Sequence, residues 1–231
     1  MYKQTRFNPK NRQDKSDRMK TILIAFFMLL IGEVYCQTKE IYVNPNFNSL
    51  TKDHQKLAIL PFKTIIKLRP KQMEKMSPEQ FNQLQKDEGI AVQSALLSYF
   101  LKRKTQHNFK ITFQDLNTTN ALLAKNNIAQ ENIERFTPKE LAEILEVDAI
   151  ITGILLSDKP MSDGASLAMG LLVGFYGSTN SGKCAISIND GYTGELLWKY
   201  DKTLSRSLGS DTNSIINAMM RKASRKLPYI Q

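Results

Sequence analysis

Residues 148–156 read DAIITGILL, a nearly unbroken apolar run that narrows the possible folds of this 231-residue chain more than any other segment. A strand with one solvent-exposed face alternates apolar and polar side chains, so a continuous apolar run indicates a strand covered on both faces. Helices packed on a sheet provide such cover. The run therefore predicts an α+β protein with 148–156 as a buried strand.

Two segments carry the signature of a helix start, in which a side chain caps the first turn and proline occupies the first helical position. The segment 77–80 (SPEQ) predicts a helix to about Leu101, weakened in the middle by Gly89. The segment 137–140 (TPKE) opens a helix that leads into the buried strand. An amphipathic pattern from about Thr212 predicts a closing helix.

Further strands are predicted where short apolar or alternating runs meet turn residues. Together with the buried strand they give a mixed sheet of about five strands, packed by amphipathic helices, in one α+β domain over 56–231. Pro61 suits the end of the first strand because proline cannot donate to a ladder. The added strands are 56–62, 109–113, 184–190 and 195–204.

The N-terminal region predicts export. Residues 22–32 (ILIAFFMLLIG) form an apolar run of 11, too short for a spanning helix of about 20 residues. Because Met19 and Lys20 precede it, 19–36 resembles a secretory signal peptide, and 1–18 is a basic leader or a mis-assigned start. An uncleaved anchor formed by 22–32 is the alternative.

Cleavage of the signal peptide admits two outcomes. A cut after Cys36 would leave Gln37 as the new terminus, whereas a cut before Cys36 would create a lipidated cysteine. Lipidation normally requires a small residue before the cysteine, and Tyr35 stands there, so simple export is favoured. Residues 37–55 are then predicted to be a polar surface leader.

A glycine-rich segment at 161–183 is predicted to form a hairpin. Large apolar side chains occupy alternate positions, which is the periodicity of a strand. A membrane strand needs about 9–11 residues, so a hairpin over 164–190 could insert into a membrane or a neighbouring subunit. Packing of the hairpin on the domain's own core is favoured over insertion, because apolar faces are usually buried. The alternating residues are Leu167, Met169, Leu171, Val173 and Phe175.

Four features together resemble the envelope lipoprotein superfamily that includes the curli secretion channel subunit and the penicillin-binding-protein activator. They are 56–62 (KLAILPF), 140–155, 184–200 (CAISINDGYTGELLWKY) and the closing helix. The resemblance implies structural roles for four residues, with Pro61 at the first strand, Asp148 at a helix-to-strand junction, and Gly194 and Trp198 in a hairpin. Such proteins act by binding, oligomerising or forming a channel, and these positions are not catalytic in them.

The sequence contains few motifs that indicate catalysis or the binding of a cofactor or metal. The segment 177–183 (GSTNSGK) approaches a phosphate-binding loop, but Cys184 replaces the required Ser or Thr and a strand follows instead of a helix. Two histidines, His54 and His107, are too few and too far apart for a histidine-built metal site. We therefore expect no cofactor, no metal and no enzymatic activity. Basic clusters at 63–75, 102–104 and 221–226 would favour anionic lipid or glycan as a partner of an exported protein, and no nucleic-acid-binding motif is present.

The function indicated by these patterns is that of an exported cell-envelope protein, in the periplasm or at the outer-membrane periphery, which binds an envelope protein or itself. One alternative is a subunit of an oligomeric outer-membrane secretion channel that inserts the 164–190 hairpin. An unrecognised hydrolase is the second alternative, which a pocket gathering His, Asp and Ser would favour.

Overall fold

The computed structural model describes residues 39–68, 70–157, 181–205 and 212–229. Cys36, the signal-peptide region and the five alternating apolar residues of 167–175 lie outside these ranges. The strands are β1 Lys39–Val43, β2 Lys56–Ile59, β3 Lys63–Ile66, β4 Thr112–Phe113, β5 Ala149–Ser157, β6 Ser181–Asp190 and β7 Leu196–Ser205. The helices are α1 Phe47–Leu50, α2 Pro70–Met73, α3 Pro78–Lys104, α4 Leu116–Lys125, α5 Pro138–Leu145 and α6 Thr212–Ser224, with a 3-10 turn at Ile133–Arg135.

All seven strands belong to one mixed sheet, and the predicted α+β class is confirmed. The strand order is β1-β7-β6-β5-β2-β4, with β3 paired to the far half of β5. Strands β2 and β3 run parallel to β5, whereas β6 and β7 are antiparallel neighbours. The count exceeds the expected five because β1 and β3 carry no clear alternation in sequence, so tertiary pairing alone makes them strands.

Helices cover the sheet on both faces. Helices α3 and α6 pack on one face against the alternate side chains of β5, β6 and β7, which form the larger core. Helices α4 and α5 cover the other face over β2 and the start of β5. Ile150 and Ile151 point to opposite faces and are both buried, as the apolar run predicts. No helix among the described residues is long and apolar enough to cross a bilayer.

Both predicted helix starts are confirmed. Ser77 and Thr137 cap α3 and α5 through reciprocal capping boxes, with proline at the first helical position. Helix α3 continues through Gly89, which was expected to weaken it. A side chain at Gly89 would collide with the Phe62 carbonyl, and one at Gly153 would collide with the Phe62 ring. The two glycines therefore make room for Phe62 between α3 and β5.

Residues 37–55 were predicted to be a polar surface leader, and the structure instead builds part of them into the domain. Strand β1 pairs antiparallel with β7, with Val43 opposite Trp198. Phe47 in α1 is buried in the larger core. Local sequence could not show this, because the partner strand follows more than 150 residues later.

The alternative of a hairpin over 164–190 that inserts into a membrane does not hold for residues 181–190. Residues 181–190 form β6, which is hydrogen-bonded to β5 on one side and β7 on the other. Cys184, Ile186 and Ile188 are fully buried in the larger core. A strand held in this way is not available for insertion into a membrane.

Candidate functional site

A cleft of about 610 Å³ opens where β2 and β5 begin and β6 ends. Its walls come from the segment that precedes β2, from α5, and from the turn between β6 and β7. Its floor holds the side chain of Asp190, which is buried, beside those of His54 and Asp148. These features make it the candidate site. Its lining includes Ser49, Asp53, His54, Asp148, Asp190 and Tyr192.

Asp190 organises the turn between β6 and β7. Its Oδ2 accepts hydrogen bonds from the Thr193 backbone N–H (2.6 Å), the Thr193 hydroxyl (2.8 Å) and the Tyr192 N–H (3.1 Å). Gly194 then adopts a φ of +78°, a left-handed conformation that glycine accepts without strain. The turn predicted at 191–194 is therefore built by one buried carboxylate and one glycine.

His54 joins Asp190 to the end of the chain. Its Nε2 lies 2.9 Å from Asp190 Oδ1, and its Nδ1 lies 2.7 Å from the Tyr229 hydroxyl. A carboxylate can only accept, so Nε2 carries the proton, and in the neutral ring Tyr229 donates to Nδ1. The side chains of His54 and Asp190 are only 7% and 4% exposed. We call these three residues the strand-end latch.

Ionisation in the strand-end latch follows from its contacts. Burial disfavours the charged form of Asp190, but the hydrogen bonds from Thr193 and His54 outweigh it and hold the pKa of Asp190 below its usual range. Burial, together with the negative charges of Asp190 and Asp148, raises the pKa of Tyr229. The carboxylate therefore stays charged and the phenol stays protonated near neutral pH.

Asp148 performs a second structural task at the cleft floor. Its Oδ2 accepts from the Gln55 N–H (2.7 Å) and the Lys56 N–H (2.8 Å), which positions the start of β2. Its backbone oxygen accepts from the Gly191 N–H at 2.7 Å. One residue thus ties together β2, β5 and the β6–β7 turn, at the helix-to-strand junction where the sequence placed it.

The structure brings only one of the four family-like residues to the cleft. Asp148 lines it, Gly194 lies in the adjoining β6–β7 turn, and Trp198 is fully buried in β7 and stacks on Tyr200 with ring centroids 5.8 Å apart. Pro61 follows the end of β2 and lines a different groove. The next amide, that of Phe62, leaves the sheet and donates to the Gly89 carbonyl of α3.

The cleft contains the residue types of a hydrolase but not their arrangement. Ser49, His54 and Asp190 all line it, yet both ring nitrogens of His54 are already engaged, with Asp190 and Tyr229. A general base needs a free nitrogen within hydrogen-bond reach of the nucleophile. Within the described ranges, no three His, Cys, Asp or Glu side chains are grouped to hold a metal ion.

The sequence interpretation missed the strand-end latch. It weighed His54 only as a metal ligand, because Asp190 and Tyr229 lie 136 and 175 residues further along the chain. No local spacing signals such a contact. Cys184, the residue that broke the phosphate-loop pattern, is buried in β6, and burial raises its pKa.

No family model and no curated protein matches the chain in sequence. Among solved structures, the PelC dodecamer from Paraburkholderia phytofirmans is similar at 9% identity, covering 80% of this chain and 92% of that one, with a TM-score of 0.36. Lipoprotein GNA1162 from Neisseria meningitidis matches at 10% identity, with coverages of 75% and 97% and a TM-score of 0.41. The LpoB C-terminal domain from Salmonella enterica matches at 9%, with 70% and 94% and a TM-score of 0.34. Similarity of this degree assigns no role to any residue.

Proposed function

We propose that this chain is an exported protein of the bacterial cell envelope that binds other proteins or further copies of itself and does not act as a catalyst. The observation that carries this proposal is the closed hydrogen bonding of the strand-end latch. Its His, Asp and Tyr satisfy one another in a buried position, so their chemistry is used to hold three distant segments together. The protein then acts through its surface.

Export rests on the N-terminal pattern. The short apolar run 22–32 follows Met19 and Lys20 and ends before Cys36, which fits a signal peptide of 19–36. The mature protein would begin at Gln37, or at a lipidated Cys36. Either form places the folded domain in the periplasm or at the outer-membrane periphery.

Cell fractionation after chemical cross-linking of intact cells tests the proposal. We expect the mature protein in the envelope fraction, with an intact mass that starts at Gln37 or carries acyl chains on Cys36, and in cross-linked species of defined size. An unprocessed chain in the cytoplasm would contradict export. A processed chain that remains monomeric after cross-linking would contradict action by binding, and a ring released only by detergent would instead favour the secretion channel.

A further inference from the structure

Strand β1 forms one edge of the sheet, and its outer side pairs with no strand of the described residues. Three consecutive large apolar side chains lie on this edge, and Ile41, Tyr42 and Val43 are 39%, 44% and 46% exposed. Unpaired edge strands are templates for pairing with another strand, and proteins usually protect them with charges, proline or bulges. The charges of Lys39 and Glu40 protect the start of β1, whereas its last three residues are apolar and carry no such protection.

The outward hydrogen-bonding groups of β1 can be identified from its pairing with β7. The Asn44 N–H donates to the Leu197 oxygen at 2.9 Å, in register with the β1–β7 ladder. Because hydrogen-bonding direction alternates along an antiparallel pair, Glu40 and Tyr42 also face β7. The backbone N–H and C=O groups of Lys39, Ile41 and Val43 therefore point away from the sheet.

We propose that β1 pairs antiparallel with β1 of a second copy of this chain, across a twofold axis at Ile41. This inference rests on the proposed function and names the surface that carries self-association. The two Ile41 residues would exchange hydrogen bonds, and Lys39 and Val43 would exchange hydrogen bonds across the axis. The two sheets would then continue into one, in the closed twofold arrangement that is commonest among oligomers.

Charge disfavours two of the registers that a twofold axis allows, and the number of paired residues favours the Ile41 register. A twofold axis normal to the sheet places a residue opposite itself, so a register centred on Glu40 would set two carboxylates face to face. A register centred on Lys39 would set two ammonium groups face to face. Like charges directly opposite each other are destabilising. The Ile41 register sets Glu40 against Tyr42 and Lys39 against Val43, and it pairs all five residues of the strand.

A second copy of β1 can satisfy this edge without bringing like charges together. Every outward backbone group of β1 finds a partner in the same strand turned by 180°, and an apolar residue lies at the centre. A five-residue strand pair buries little surface, so the dimer is weak and belongs to the small class of interfaces. Concentration of the protein at one location would favour its formation.

Site-directed cross-linking of the full chain tests the register. In the proposed pair the Cα atoms of the two residues at position 41 lie about 5.5 Å apart, within reach of a disulfide. The two residues at position 39 are displaced by four residues, roughly 13 Å, and lie beyond that reach. We expect Ile41→Cys to form covalent dimers on oxidation and the matched variant Lys39→Cys to form none. Equal cross-linking of both variants, or none of Ile41→Cys, would overturn the proposal.

Sedimentation equilibrium provides a second test, because it measures the dissociation constant of the proposed dimer. Ile41→Lys sets two ammonium groups face to face at the axis, so we expect the dimer dissociation constant to rise at least roughly tenfold. Ile90→Lys is the matched control, because Ile90 is 47% exposed on α3 and does not lie on β1. Thermal unfolding verifies that both variants are folded. An exported protein found in complexes with other proteins, but with no Ile41-dependent dimer, would overturn this inference and leave the proposed function standing.

Discussion

The strand-end latch and the outer edge of β1 differ in whether their hydrogen-bonding groups are bonded to one another. In the strand-end latch, the polar atoms of His54, Asp190 and Tyr229 are buried and joined to one another. Along β1, the backbone groups of alternate residues point outward beside half-exposed apolar side chains. The hydrogen-bonding groups of the strand-end latch are thus paired within the protein, whereas the outer side of β1 pairs with no strand of the described residues.

Removing the carboxylate of the strand-end latch should have the largest effect on stability. Asp190→Ala leaves the backbone N–H groups of Tyr192 and Thr193 and the His54 N–H without the part-buried acceptor that they share. Because each unsatisfied buried group costs about 1–3 kcal/mol, we expect a loss of about 3 kcal/mol in the free energy of unfolding. Urea denaturation measures it, with Asp53→Ala, an exposed carboxylate of the same cleft, as the control. A loss below about 1 kcal/mol would show that the strand-end latch is not structural.

The hydroxyl of Tyr229 should contribute less. Tyr229→Phe keeps the edge-to-face contact with Phe47, whose ring centroid lies 5.0 Å away, and removes only the hydrogen bond to His54 Nδ1. We expect a destabilisation of about 1 kcal/mol by thermal or urea unfolding. Tyr192→Phe, at a ring that is 83% exposed, should leave stability unchanged. An effect as large in Tyr192→Phe would contradict this assignment.

Acid should weaken the strand-end latch in a direction set by Asp190. Its pKa in the folded protein lies below the ordinary value of about 4, so its charge stabilises the fold at pH values above that range. This contribution is lost as the pH falls through the folded pKa, because the carboxylate must then accept a proton. Asp190→Asn, which does not titrate, should flatten the fall in unfolding free energy below about pH 5. If the unfolding free energies of the unmodified protein and of Asp190→Asn fell equally as the pH is lowered, Asp190 would not be the responsible group.

Changes on the β1 edge should affect the folded monomer least. Tyr42→Ser removes a half-exposed ring from an edge strand and leaves its backbone pairing with β7 in place. We expect the free energy of unfolding of the dilute protein to change by about 0.5 kcal/mol or less. The same variant should weaken self-association, since Tyr42 faces Glu40 of the second copy. A large loss of monomer stability would show that β1 serves the core rather than the surface.

Patterns within a few residues were readable from sequence. The capping boxes at Ser77 and Thr137, the doubly covered β5 and the tight turn before Gly194 all depend on neighbours along the chain. Such features are set by backbone propensity and periodicity, which a local window contains. The α+β class followed from them.

Features formed by residues that are far apart along the chain could not be predicted from the sequence. Strand β3 lacks alternation and exists because it continues the pairing of β5 beyond Pro61. Gly89 looked like a helix weakness, yet it is required because the Phe62 carbonyl approaches α3 there. Each depends on which segments meet, and that information lies in the packed core rather than in any window of sequence.

By itself, the sequence determined the fold class, the helix starts and the strands on either side of the Asp190 turn. Tertiary structure alone decided that His54 meets Asp190 and Tyr229, and that β1 joins the sheet as an edge with its apolar side chains exposed. The physical reason is the separation along the sequence over which each effect acts. Propensity and periodicity act over a few residues, whereas buried hydrogen bonds and strand pairing join groups that only the folded core brings together.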